Sequence, residues 1–323
     1  MRFRPAQPGA GRVSLASVTL VPAAFAFPWR DPHAQALVAV AGTIAITLLG
    51  SWNGQHLTTI LRRRVALVRS LRSATQPAGA GSLDVTATAV LRVASAHEVA
   101  FPLPLLVDYL DRYGIRADSI RITNRNNASD GAETWIGITV SAATNLAALT
   151  ARSADIPLSE TTQVAARRLA DHLRELGWDA ALVSSEELPG VLTETGRETW
   201  TAVERDDASY CAAYRVDFAD TQTAVEAVRS LSSAESWMAL ELAQGAGPES
   251  AITVAIECAL CAATSDGVGS PAAEFVPESG NHWSALRALE LASGQRLGGH
   301  SAIRPAALAE LSWPVAQHQV VLG

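Results

Sequence analysis

Two long stretches without a single charge open the chain: residues 13–29, 17 in a row, and residues 32–61, 30 in a row. A membrane-spanning helix needs about 20 mostly apolar residues. The second run, with its apolar centre over residues 34–50, meets that length readily. The first is just long enough, and its Pro22 is a residue that membrane helices tolerate. Only Arg30, Asp31 and Pro32 stand at the junction, so the two runs predict an antiparallel two-helix transmembrane hairpin within residues 1–72. A cleaved signal peptide would also show a basic start, an apolar run and a small-x-small site such as Ala24-Phe25-Ala26. Even then, the second run and its Arg62-Arg63-Arg64 stop would hold the chain in the membrane.

Arginine sets the orientation. Arg2, Arg4 and Arg12 precede the first run, and Arg62, Arg63, Arg64, Arg69 and Arg72 follow the second. The positive-inside rule places both flanks in the cytoplasm, giving a two-pass protein with both termini inside. Leu61, Val65, Val68 and Leu71 recur at helical spacing, which predicts that the second helix continues as an amphipathic stalk whose basic face reads as a solvated stop-transfer flank, with anionic head groups or an acidic neighbour protein as the alternative contact. Residues 73–82 (SATQPAGAGS) are small and polar and read as a linker to a cytosolic domain over residues 83–323.

That domain reads as mixed α/β (α+β). Residues 84–93 are strand-like, residues 102–113 helical up to Gly114, and residues 119–123 strand-like. The turn-rich 124–131 and the strand-like 134–141 complete a hairpin. A helix capped by Ser159 carries Ala165, Leu169, Leu173 and Leu176 on one face and ends at Gly177, before a strand over 178–183. The order β-α-β-β-α-β is the split βαβ arrangement. Further strands are expected over 199–204, 210–218, 237–242 and 251–263, with helices starting at Asp220 or Thr221 and spanning 281–293. The last thirty residues, with Pro305 and Pro314, show little periodicity.

Chemistry is sparse. A net charge of −7 and a pI of about 5.5 argue against nucleic-acid binding. Three cysteines cannot build a disulfide framework. Cys258 and Cys261 have the spacing of a zinc or redox pair, but zinc needs a second pair of ligands and only Cys211 remains. Residues three apart on a strand also point to opposite faces, so both read as buried apolar cysteines. Residues 267–272 (GVGSPA) approach a dinucleotide fingerprint, but Pro271 and the missing helix make them a loop. None of the seven histidines (His33, His56, His97, His172, His282, His300, His318) is spaced as a metal pair, and His172 reads as solvated. Glu186-Glu187 and Asp206-Asp207 fall in loop-like sequence and read as wet surface. No catalytic, cofactor-binding or metal site is expected, and Trp313 near the tail is a candidate interface anchor.

The two uncharged runs, the Arg62-Arg63-Arg64 flank and the α/β domain together resemble EccE, the E component of the type VII (ESX) secretion machine. The most specific stretch is residues 135–179, WIGITVSAATNLAALTARS leading through IPLSETTQVAARRLADHLRELGWD. The resemblance implies a non-enzymatic scaffold subunit of a bacterial inner-membrane complex. Its neighbours there would be the multi-span D component, the B component and the C-component ATPase. A chain this short for the family points to the subtype linked to iron and zinc acquisition. The family's cytosolic domain has been likened to glycosyltransferases, so the competing reading is a membrane-tethered enzyme acting on a lipid-linked sugar. No Asp-x-Asp motif supports it. A free-standing membrane sensor is the third class.

Overall fold

The computed structural model describes residues 85–95, 101–129, 131–153, 156–193, 195–231, 235–245 and 252–316, with scattered positions between 35 and 64. The chain divides into two units, Met1–Gln76 and Pro77–Gly323.

In the first unit, residues 35–36, 38–41 and 43 are helical, and the Thr43 hydroxyl donates to the Ala39 carbonyl at 2.8 Å. Two short strands, β1 (Ser51–Trp52) and β2 (Gln55–His56), then pair antiparallel. Residues 63–64 are helical. The pair β1–β2 corrects the expectation of one uninterrupted helix from the second run into a stalk. Its physical cause is legible: Asn53-Gly54 between the strands is the strongest two-residue hairpin signal. Among the described residues no helix is long and apolar enough to cross a membrane. The first expected span, residues 13–29, lies wholly outside the described residues, and so does most of the second.

The second unit is built on an antiparallel sheet. Its first half runs β3 (Thr86–Ala94), α1 (Leu103–Asp108), β4 (Asp111–Arg112), β5 (Ile115–Asn127), β6 (Gly131–Ser141), α2 (Ala142–Thr150), α3 (Leu158–Glu175) and β7 (Asp179–Val183). Its second half runs β8 (Gly196–Glu198), β9 (Val203–Arg205), β10 (Tyr210–Val216), α4 (Thr221–Ser230), β11 (Glu235–Gln244), β12 (Ile252–Ala262), β13 (Phe275–Pro277), α5 (His282–Leu289), β14 (Ser301–Ile303) and α6 (Pro305–Ala309). The main strand order is β7-β3-β6-β5-β11-β12-β10-β9-β8.

The order β7-β3-β6-β5 is the split βαβ arrangement expected from the sequence, with the first and second long strands separated by the third. The second half repeats the motif in part. There β10, α4, β11 and β12 give the order β11-β12-β10, and the slot beyond β10 is shared by β9 and β13. The halves join edge to edge through β5 and β11, in register from Glu235 opposite Asn127 to Leu242 opposite Ile120. Joining them removes two exposed edges, which would otherwise template aggregation.

Side chains alternate across this sheet. One face, carrying Leu91, Ile120, Ile122, Ile136, Ile138, Leu240 and Ile256, packs under α1, α2, α3 and α4. The other, carrying Trp135, Trp237, Ala239 and Ala255, lies under α5 and the segments around Val191 and Leu297. Each fully buried Leu or Ile is worth about 1.5–3 kcal/mol, so the five strongly apolar strands dominate stability.

Several boundaries move for identifiable reasons. The expected helix over 102–113 stops at Asp108, because Asp111–Arg112 fold back onto Ile115 and Arg116. Tyr113 and Gly114 both have positive φ (56° and 70°), the signature of a two-residue type I′ turn, so Gly114 is a turn residue and not a helix cap. The expected strand over 119–123 extends through Asn127 into the stretch expected as a turn, since Arg125 is paired with Glu133 and Glu235 on the flanking strands. The helix α2 was not expected. Its signal is Ser141, whose side chain accepts from the Thr144 amide, and its buried Asn145 exchanges two 2.8 Å hydrogen bonds with the Arg116 backbone. In α3, Pro157 rather than Ser159 precedes the helix, Ala166 rather than Ala165 is buried with Leu169 and Leu173, and Leu176 is exposed. Gly177 (φ 86°) ends it as expected. The expected strand over 199–204 is a hairpin of β8 and β9. The irregular tail holds β14 and α6.

Candidate functional site

Burial and charge coincide most densely on the α5 face of the sheet. Arg121 and Glu241 stand directly opposite each other on β5 and β11. The Arg121 Nε and Nη2 donate to Glu241 Oε2 at 3.0 and 2.5 Å. Arg121 also donates to the Ala288 carbonyl and, at 2.7 Å, to the Gln295 carbonyl. The other Glu241 oxygen meets His300 Nε2 at 3.0 Å and accepts from the Leu297 amide at 3.2 Å. Burial acts to raise the Glu241 pKa, but the His300 hydrogen bond and the Arg121 guanidinium outweigh it and hold the carboxyl below its ordinary range. On the neighbouring strand β12, Glu257 accepts from the Gly298 amide at 2.7 Å and forms no ion pair among the described residues. Burial pushes its pKa up to about 8. Glu290 accepts from the Val191 and Leu192 amides, tying that segment down. A second network links Arg125, Glu133, Glu235 and Arg205 beside the stacked rings of Trp135 and Trp237.

The first of these networks clamps the 288–300 connection onto the sheet. Arg121 and Glu241 are spent on each other and on backbone and are 6% and 0% exposed, whereas among the described residues Glu257 Oε2, His300 Nδ1 and Arg205 Nε are buried with no hydrogen-bond partner.

The residues singled out in the sequence fall elsewhere. Cys258 and Cys261 point to opposite faces, as the strand geometry requires. Cys258 is a free, buried thiol whose pKa burial raises strongly. Cys261 corrects the expectation of two idle cysteines: it faces Cys211 across β10 and β12, and the two form a disulfide. Strand pairing brings together residues 50 apart, a proximity the sequence alone does not announce. Residues 267–272 run from the end of a short 3₁₀ segment (Ser265–Val268) into an irregular loop, and the Val268 carbonyl accepts from the Tyr214 hydroxyl. Glu186-Glu187 and Asp206-Asp207 are exposed, the latter in the β9–β10 turn. His172 is half-buried, 3.4 Å from the Tyr109 hydroxyl, and His282 is buried, accepting from the Ala213 amide. Trp313 is not an interface anchor: it is buried, with its indole N–H donating to Asn124. Among the described residues no cluster of three or more His, Cys, Asp or Glu is placed to hold a metal.

On the opposite face lies a cleft of about 210 Å³ between the α1–β4 corner and α3. Its floor is aliphatic, from Ile115, Ile138 and Val140, and its rim carries Arg112, Arg152 and Arg168 against one carboxylate, Glu160. Two guanidinium groups lie against the Tyr113 ring, Arg168 at 4.6 Å and Arg112 at 5.1 Å from its centroid, and Arg112 is also 4.7 Å from the Tyr109 centroid. The Tyr109 hydroxyl donates to the Arg168 carbonyl at 3.0 Å, and burial raises the Tyr109 pKa. Sequence reasoning missed this site because its rim joins side chains more than 50 positions apart. The one local clue was an aromatic at the head of a two-residue turn.

Residues 128–216 match the family described as "Putative type VII ESX secretion system translocon, EccE". That span contains residues 135–179, on which the resemblance rested. Over 314 residues, 96% of this chain and 93% of the relative, the sequence is 45% identical to "ESX-3 secretion system protein EccE3" of Mycobacterium tuberculosis. The chain belongs to the EccE family. The similarly named protein of Mycolicibacterium smegmatis is 43% identical over 301 residues, covering 91% of this chain and 92% of the relative. Because the likeness to the EccE3 proteins runs the length of the chain, it takes in the first unit, the ionic face and the cleft together. Family and relatives are secretion components by name, which lends no support to the glycosyltransferase alternative.

Proposed function

We propose that this EccE-family chain is a structural, non-enzymatic subunit of a type VII secretion complex of the ESX-3 type. The observation that carries the reading is 45% identity along 96% of the chain to a protein named as an ESX-3 secretion component. The ionic face supports it: the buried carboxylates and arginines are committed to holding strands and loops together. In this reading residues 1–72 form a two-pass anchor, residues 73–82 a linker and residues 83–323 a cytosolic domain, with both termini inside the plasma membrane. The partners are the multi-span D component, the B component and the C-component ATPase, and the subtype is the one tied to iron and zinc acquisition.

Affinity purification of the tagged intact chain from native membrane, with mass spectrometry of co-eluting chains, tests the reading. Other secretion-complex components should co-elute in fixed ratio. Elution of the chain alone after gentle extraction would refute it and favour a free-standing membrane protein. Impermeant labelling from outside should reach a cysteine placed at Asp31 and miss one placed in residues 73–82; the reverse pattern overturns the topology. Replacing Gly42 and Ala45 with leucine should weaken retention in the complex, because small residues permit close helix packing in lipid.

A further inference from the structure

We propose that the cleft between the α1–β4 corner and α3 is a docking site for an acidic segment of a partner protein that inserts one apolar side chain. The proposal rests on the reading of this chain as a subunit of a larger assembly and names where one contact is made.

Charge gives the first argument. The cleft carries three arginines and one glutamate in a chain whose net charge is −7, so it is a local reversal of sign. Arg121, Arg125, Arg205 and Arg215, which are buried or half-buried, and Arg296 each pair with a carboxylate. Among the described residues Arg112, Arg152 and Arg168 have no carboxylate partner. Two of them are held instead against the Tyr113 ring, which fixes the guanidinium planes without satisfying their donors. Fixed, unneutralised guanidinium groups are suited to carboxylates arriving from outside.

Apolar exposure gives the second. The rim residues Tyr113 and Val164 are 54% and 42% exposed, and Ile156, next to the lining residue Pro157, is 40% exposed. Tyr113 and Ile156 both adopt left-handed backbone (φ 56° and 47°), unusual for Tyr and more so for a β-branched residue. The turns thus present large side chains beside an aliphatic floor that water contacts unfavourably.

Size gives the third. Sites for drug-sized molecules run from about 300 to 1,000 Å³. A space of about 210 Å³ suits one anchoring side chain, the usual unit of a protein hot spot. A single-stranded nucleic acid would need a long basic groove with successive stacking platforms, and one tyrosine in a small cleft does not supply it.

The test uses the full-length chain in its native membrane, carrying a photo-reactive benzoylphenylalanine in place of the exposed Val164. Irradiation should give a cross-link to one segment of a co-purifying chain, with two or more carboxylates near the linked residue. Adding Arg112→Glu and Arg168→Glu should cut its yield at least about 10-fold, since attraction becomes repulsion. Arg152→Glu, on an exposed side chain with no ion pair or hydrogen bond among the described residues, should lower it without disturbing the fold. Converting a carboxylate of the mapped segment to arginine should restore the yield in the Arg168→Glu background. A cross-link to lipid or nucleic acid, to a segment without acids, or one indifferent to charge reversal overturns the proposal. If partner chains co-elute but Val164 yields no cross-link, the docking site is wrong while the subunit reading stands. If no chain co-elutes, both fall.

Discussion

Neutralising Glu241 while leaving Arg121 in place is the sharpest test of how the two halves of the sheet are joined. In Glu241→Gln the amide keeps an acceptor for the Leu297 amide and a partner for His300, so shape and two hydrogen bonds persist. What is lost is the charge opposing a guanidinium only 6% exposed. Breaking a buried pair by removing one partner costs about 3–5 kcal/mol. For a unit of this size each kcal/mol moves the melting temperature by about 2–4 °C, so the drop should be roughly 6–20 °C. Arg121→Met should cost a similar amount by stranding the carboxylate. The double variant removes both charges, keeps the Gln contacts and orphans chiefly the Ala288 and Gln295 carbonyls. It should therefore be less destabilised than the sum of the singles by about 2–3 kcal/mol. Thermal melts of the intact chain in detergent, followed by tryptophan fluorescence, measure all four species. Additivity within about 0.5 kcal/mol would show that the pair does not act as a unit, and the clamp would be wrong.

Other consequences are smaller or simpler to read. Glu257 has its folded pKa raised to about 8, so the native state binds the extra proton and stability should fall as pH rises from about 4.5 to 8. Glu257→Gln, which mimics the protonated form and keeps the Gly298 contact, should flatten that decline in melts at pH 6 and pH 9; an unchanged slope refutes the assignment. Reducing the Cys211–Cys261 bond, or replacing both by alanine, should cost about 2–4 kcal/mol from the released 50-residue separation. Maleimide should leave Cys258 unmodified until the chain is denatured, because it is fully buried; rapid labelling of the native chain would contradict its place in the core. Gly196→Ala should destabilise by about 1–3 kcal/mol, since a Cβ there would lie 2.9 Å from both the Glu204 carbonyl and the Trp283 ring, and a neutral melt would show that this hairpin yields easily.

What the sequence made legible was periodicity and punctuation. The split βαβ order followed from alternating strand and helix patterns, and Gly177 ended α3 where its left-handed backbone was needed. What it hid were the features that depend on which strands become neighbours. Arg125 looked like turn chemistry because its polarity was read without the Glu133 and Glu235 that strand pairing supplies. Trp313 looked free because nothing local marks the Asn124 that receives its indole N–H from a strand 189 residues away. Cys211 and Cys261 likewise meet only through the β10–β12 register.

The cleft belongs to the same class, and this bears on how such a subunit can evolve. Its floor is strand core, fixed by packing, but its rim is carried by the α1–β4 corner and the outer face of α3. Rim arginines can change there without disturbing buried contacts, because Arg152 and Arg168 are exposed. The ionic face has less freedom, since Arg121, Glu241 and His300 hold one another while Glu257 and Glu290 hold backbone amides. A subunit built this way can retune which acidic segment it accepts while the clamp beneath the opposite face stays constant. Exchanging Arg152 and Arg168 together for glutamine should thus leave the melting temperature within about 4 °C, because exposed substitutions of this kind shift stability by no more than about 0.5 kcal/mol each. The same exchange should still weaken the Val164 cross-link. A large fall in melting temperature would mean that the rim arginines support the fold itself, and the separation of a constant clamp from a variable rim would have to be abandoned.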